Sequence, residues 1–149
     1  MSSLTALGSG LAGALALTAV HETVRQQVST APRMDILGMQ AISKGLRALT
    51  FEPPHGKKLH DLALGGDIVS NALYFSMVGH GRPEGALLRG AMLGLAAGLG
   101  ALALPKPMGL DPQPSNRTVP TQAMTITWYL LGGLAAGAMY QMLSKGAKR

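Results

Sequence analysis

Six residues spaced +4, +3, +4, +3, +4 form the sharpest chemical pattern in the chain: His60, Leu64, Asp67, Asn71, Tyr74 and Val78. On an α-helix that spacing places all six along one face. Four of the six are polar. An imidazole, a carboxylate, an amide and a phenol in one line can pass a proton, hold a cation or tie neighbouring helices together. Asp67 is the costliest member. A charged group near the middle of a bilayer costs about 2.5–3.5 kcal/mol on insertion scales unless it is paired, hydrated or protonated. The stripe must therefore face other helices, a wet cavity or a partner subunit. Arg89 is the natural charge partner. With the two helices joined by a tight turn about residues 81–82, Arg89 stands level with Tyr74 and within reach of Asn71. Thr18 is a second possible donor to Asp67. Two readings stay open: a polar pathway or ligand site along the bundle axis, and a buried polar network that fixes helix register.

A second constellation joins His21-Glu22 to His60-Asp61. The helices that carry them are expected to be antiparallel, which brings both dipeptides to one membrane level. Two imidazoles and two carboxylates there suit Zn²⁺ or Fe²⁺. No H-E-x-x-H or E-x-x-H spacing accompanies them, however, and Glu22 has simpler partners in Arg25 and Gln26, three and four residues on. Other motifs fail on context. Gly8-Ser9-Gly10-Leu11-Ala12-Gly13 matches G-x-G-x-x-G, but no strand precedes it and no acidic residue follows at the required distance. Asn116-Arg117-Thr118 is a glycosylation sequon only in a eukaryotic lumen. No phosphate-binding loop and no nucleophile elbow occur, and the absence of cysteine removes thiolate chemistry. The sequence assigns no cofactor.

The elements that must position these residues are apolar helices. Leu4–Val20, Gly90–Leu104 and Ala123–Leu143 contain no Asp, Glu, Lys, Arg or His. A helix needs about 20 apolar residues to cross a hydrocarbon core of roughly 30 Å. Only 13% of the 149 residues are charged, against about 25% in soluble domains. The apolar content is Ala, Leu, Gly and Met, with 20 glycines, which suits close helix packing in lipid better than a sheet. A water-soluble Ala/Leu bundle is the alternative, since core helices can be apolar all round.

The expected fold is all-α: an integral membrane bundle of four transmembrane helices with one short amphipathic surface helix between the first and second. It forms a single domain over 1–149. The spacing predicts helices over about 3–27, 59–78, 84–104 and 121–144, a surface helix over 33–48, and a proline-rich loop over 105–120. The first segment lacks the basic n-region of a signal peptide and reads as a retained helix. Met34, Leu37, Gly38, Ala41, Ile42 and Leu46 give the surface helix its apolar face, with Lys44 and Arg47 toward headgroups. Trp128, Tyr129 and Tyr140 read as interfacial aromatics. Small residues recur as Gly10 and Gly13, as Gly94 and Gly98, and as Gly133 and Gly137, which marks faces for close helix contact.

The net charge of +6 lies almost entirely outside the apolar segments. It reads as topology and headgroup contact, not as nucleic-acid binding. Arg25, Arg33, Lys44, Arg47, Lys57, Lys58, Lys106 and Arg117 fall on one side, and Arg82, Arg89, Lys145, Lys148 and Arg149 on the other. Eight against five places the first group in the cytoplasm and both termini outside. The composition looks bacterial, so the expected location is a bacterial cytoplasmic membrane. The expected partners are the lipid bilayer and either further copies or other membrane subunits. The expected function is that of a structural or accessory subunit packing through its Gly/Ala faces. The alternatives are a small transporter or proton- or ion-conducting component that uses the stripe, and a metal-dependent membrane enzyme.

Overall fold

Glycine and alanine line the helix crossings, and many large apolar side chains face outward around a small core. The computed structural model describes residues 3–146. Lys148 and Arg149, counted above with the basic tail, lie outside the described residues. The elements are α1 (Ser3–Val24), α2 (Met34–Ala48), α3 (Gly56–Phe75), α4 (Ala86–Ala103), α5 (Gln113–Asn116) and α6 (Val119–Gly146). No strand occurs among the described residues. Two 3₁₀ turns, Ser76–Gly79 and Pro83–Gly85, join α3 to α4.

Local chemistry sets the boundaries. Asp35 in the first turn of α2 and Arg47 in its last complement the helix dipole. Gly56, at φ 59°, takes a conformation that side-chain-bearing residues avoid and starts α3 three residues earlier than periodicity suggested. Pro120 falls in the first turn of α6, where its missing N–H has no helical partner to lose. The single turn of α5 was not anticipated within the proline-rich loop.

The four long helices run up and down. At one end Gly79 stands against Ala6 and Tyr140. At the other, Thr121 Oγ1 donates to the Thr30 carbonyl (2.7 Å), Arg117 Nη2 to Ser29 (2.5 Å) and Ala31 (2.8 Å), and Arg33 N to Pro114 O (2.9 Å). Helix α6 packs between α4 and α1, and α1 packs between α6 and α3. Helices α3 and α4, neighbours in sequence, diverge from their shared turn.

Glycine makes these approaches possible. A Cβ on Gly90 or Gly133 would overlap the backbone of the other, since the α4 and α6 backbones touch there. Meanwhile Leu4, Leu7, Leu11 and Leu15 of α1, Leu88, Met92, Leu95 and Leu99 of α4, Val69 and Leu73 of α3, and Leu131 and Met142 of α6 are exposed.

Two helices, Ser3–Val24 and Pro83–Ala103, are long and apolar enough to cross a membrane. Only 28% and 22% of their most apolar stretches are buried in the fold. The expected four spans are therefore met by two on length and composition. Helix α3 falls short because Asp61 and Asp67 interrupt it.

The aromatic expectation is corrected. Tyr129 and Tyr140 are 7% and 1% exposed and belong to the core with Leu17, Phe75 and Val78. The space left by facing glycines draws them inward.

Candidate functional site

The divergence of α3 and α4 opens a groove of about 540 Å³. Ala96, Ala97, Gly100 and Ala101 of α4 leave the space free because their side chains are short. Met34, Leu37, Gly38 and Ala41 of α2, with Pro105, Met108 and Leu110, close one end. Two bonds hold that cover together: Lys44 Nζ donates to Met108 O (2.7 Å) and Asp111 N to Gln40 Oε1 (2.8 Å). One wall is polar, made of Asp67, Ser70, Asn71 and Tyr74 on α3 with Tyr129 behind.

Asp67 is the centre of this wall. Its Oδ1 accepts from Asn71 Nδ2 at 2.9 Å. Among the described residues, no Lys, Arg or His nitrogen comes within 4.0 Å of its carboxylate. Ser70 Oγ turns to the Asp67 carbonyl instead (3.1 Å).

Asp67 also lines a second, smaller cavity of about 20 Å³, with Thr18, His21, Glu22, Arg25, Asp35 and His60. That is about the room one water needs. His21 is 8% exposed. Neither of its ring nitrogens has a hydrogen-bond partner, nor has Thr18 Oγ1. The His21 ring meets Tyr129 edge-on, at 5.9 Å between centroids. Thr18 thus shares a cavity with Asp67 without bonding to it.

Ion pairs surround the mouth of this cavity. Arg25 holds Glu22 through both carboxylate oxygens (2.9 and 2.5 Å), and Arg33 holds Asp35 in the same way (2.9 and 2.7 Å). Arg25 lies 3.8 Å from Asp35. Burial pushes the Asp35 carboxyl up, but the hydrogen bonds and charge of Arg33 and the charge of Arg25 outweigh it and hold it below the ordinary carboxylate value.

Of the expected stripe, His60, Asp67, Asn71 and Tyr74 keep to the polar side of α3, but they do different things. His60 faces the small cavity. Tyr74 Oη donates across to Leu93 O of α4 (2.9 Å) and so braces the narrow end of the groove. Arg89 is not the partner of Asn71 or Asp67. Its Nε and Nη2 donate to Val78 O (3.0 and 2.8 Å), and Nη2 also donates to Arg82 O (2.9 Å). Carbonyls at the end of a helix lack helical donors, and Arg89 satisfies them.

The metal constellation divides. His21, Glu22 and His60 line one cavity, but Asp61 is exposed and pairs with Lys57 at 2.5 Å. Glu22 is already engaged by Arg25. Among the described residues, no group of three or more His, Cys, Asp or Glu stands close enough to hold a metal ion.

The six glycines all lie at helix crossings within the chain. Gly10 meets the backbone of α3 at Ala72 and of the following 3₁₀ turn at Ser76, and Gly13 meets Gly132 O and Ala136. Gly94 and Gly98 meet α6 at Tyr129, Leu130 and Ile126, Gly133 meets Gly90, and Gly137 meets Ala86. Sequence reasoning missed Gly90, although its place four residues before Gly94 was signal enough. It also missed the short α4 residues that make the groove, which no periodicity distinguishes from packing residues.

Comparison with protein-family models, with curated proteins and with solved structures finds no match.

Proposed function

We propose that this chain is a multi-pass integral membrane protein, and that it works as a small transporter or ion-handling component through Asp67. In this reading α1, α3, α4 and α6 cross the bilayer and α2 lies at its surface. The observation that carries it is the Asp67 carboxylate, set in a wall shared by the groove and the small cavity with no cation beside it. A half-buried carboxylate whose one protein donor is a neutral amide is poised to exchange a proton or a cation. The outward Leu, Met and Val stripes on all four long helices support the membrane placement, because lipid is the solvent that matches them. A bacterial cytoplasmic membrane remains the proposed location on composition. The test is reconstitution in proteoliposomes. Asp67→Asn keeps shape and hydrogen bonding and should fold normally yet abolish proton or ion flux, while undiminished flux would overturn the proposal.

A second reading, an accessory subunit, is favoured by the exposed stripe Leu88, Met92, Leu95 and Leu99 on α4. The glycines are consumed inside the chain, so association with another subunit would use these large side chains. Crosslinking from a cysteine at Met92 in native membranes tests this reading, and a product containing only this chain's monomer would remove it.

A further inference from the structure

We infer that the groove between α3 and α4 binds an apolar molecule bearing one primary ammonium group, with the ammonium on Asp67. The inference rests on the reading of α3 and α4 as membrane-spanning. At about 540 Å³ the groove falls within the range of small-molecule sites, about 300–1,000 Å³. Its α4 wall, its α2 cover and its loop residues contribute no charge to the lining. One negative group enters it, and no positive one.

Four of the chain's cations are committed elsewhere. Arg25 and Arg33 hold Glu22 and Asp35, Arg89 holds backbone carbonyls, and Lys44 holds Met108 O. Asn71 fills one side of the Asp67 carboxylate at Oδ1. Oδ2 accepts no hydrogen bond from the described residues. Behind the carboxylate, His21 is nine-tenths buried with both ring nitrogens unpartnered, so it does not bond the carboxylate.

The complement of such a site is a cationic donor on an apolar body. An ammonium supplies three donors and a full charge, whereas a neutral alcohol leaves the carboxylate uncompensated and an anion is repelled. Helix α2 and the 105–110 segment cover the surface end, and the groove opens between α3 and α4. Entry is from the hydrocarbon layer, which selects molecules with an apolar body.

The experiment is titration of the full chain in lipid nanodiscs, with empty nanodiscs subtracted. The probes are octylammonium and, as its neutral counterpart, octanol. Octylammonium should bind saturably at one site, and Asp67→Asn should weaken it at least tenfold. Gly100→Leu should do the same by filling the groove. An added Cβ there meets only Leu104 Cδ1, at 3.5 Å, so this variant keeps the test valid if the Asp67 variant does not fold. Octanol should bind no better than to empty nanodiscs. Equal binding of octanol, or octylammonium binding that ignores both variants, would overturn the inference and mark the groove as a seat for a lipid acyl chain. Asp67-dependent ion flux with no octylammonium binding would also overturn it while leaving the transporter reading standing. Absence of both overturns both.

Discussion

His21 of α1 and Asp67 of α3 line one cavity of about 20 Å³, and no hydrogen bond or ion pair joins them. Both are polar, both come from helices rich in apolar residues, and each keeps its hydrogen-bonding capacity largely unspent. Structural networks satisfy their members, because an unmet buried polar group costs about 1–3 kcal/mol. Among the described residues, Asn71 is the one donor to the Asp67 carboxylate.

Asp67 and Asn71 are a pair that can be broken in two ways. Asp67→Asn keeps an acceptor for the Asn71 amide and should melt within a few degrees of the parent in detergent. Asp67→Leu leaves the buried Asn71 amide without its partner and should cost about 1–3 kcal/mol, read as a lower midpoint in thermal unfolding. An unchanged midpoint for Asp67→Leu would mean that the carboxylate is not held in the wall described.

The glycine crossings predict sharp position dependence. Gly133→Leu and Gly94→Leu push a side chain into facing backbone and should destabilise the fold by at least the ~1–3 kcal/mol typical of overpacking. The loss should appear in the monomer itself, as poor recovery and early unfolding. Gly45, in the last turn of α2, has nothing within 4 Å of an added Cβ. Gly45→Ala should stabilise by roughly 0.5–1 kcal/mol through helix propensity alone. Equal effects at Gly45 and Gly133 would contradict the packing.

The helical layout was legible because the charge-free runs are long and proline and glycine punctuate them. The stripe on α3 was legible because helical spacing puts its residues on one face. What pairs with the stripe was not legible. A tight α3–α4 hairpin would have set Arg89 beside Asn71, but the two 3₁₀ turns let the helices diverge and leave Val78 and Arg82 carbonyls for Arg89 to bind. That divergence is also what opens the groove, so the same feature hid both. Tyr129 and Tyr140 misled for another reason. Amphipathic rings suit an interface and a glycine-lined core alike, and only the facing glycines decide between them.

Asp35 gives α2 a pH dependence with a definite sign. Its folded-state pKa lies below the ordinary 3.8, so the unfolded state binds the proton more readily. Its contribution is present in full above that value and is lost as pH falls through 3.8 toward the folded value. Thermal midpoints of the parent and of Asp35→Asn should differ at pH 6 and converge as the pH falls below the folded-state value. A difference that persists at low pH would remove the ion pairs with Arg33 and Arg25 as the cause.

The claim on which the rest depends is that α3 and α4 cross the bilayer, with Asp67 inside it. Cysteines at His80 and Lys106 flank α4 at its two ends, and both positions are exposed. In sealed vesicles a membrane-impermeant maleimide should reach His80→Cys from the outer side only and Lys106→Cys from the cytoplasmic side only, as the excess of Lys and Arg on the second side requires. Labelling of both from the same side would contradict the account.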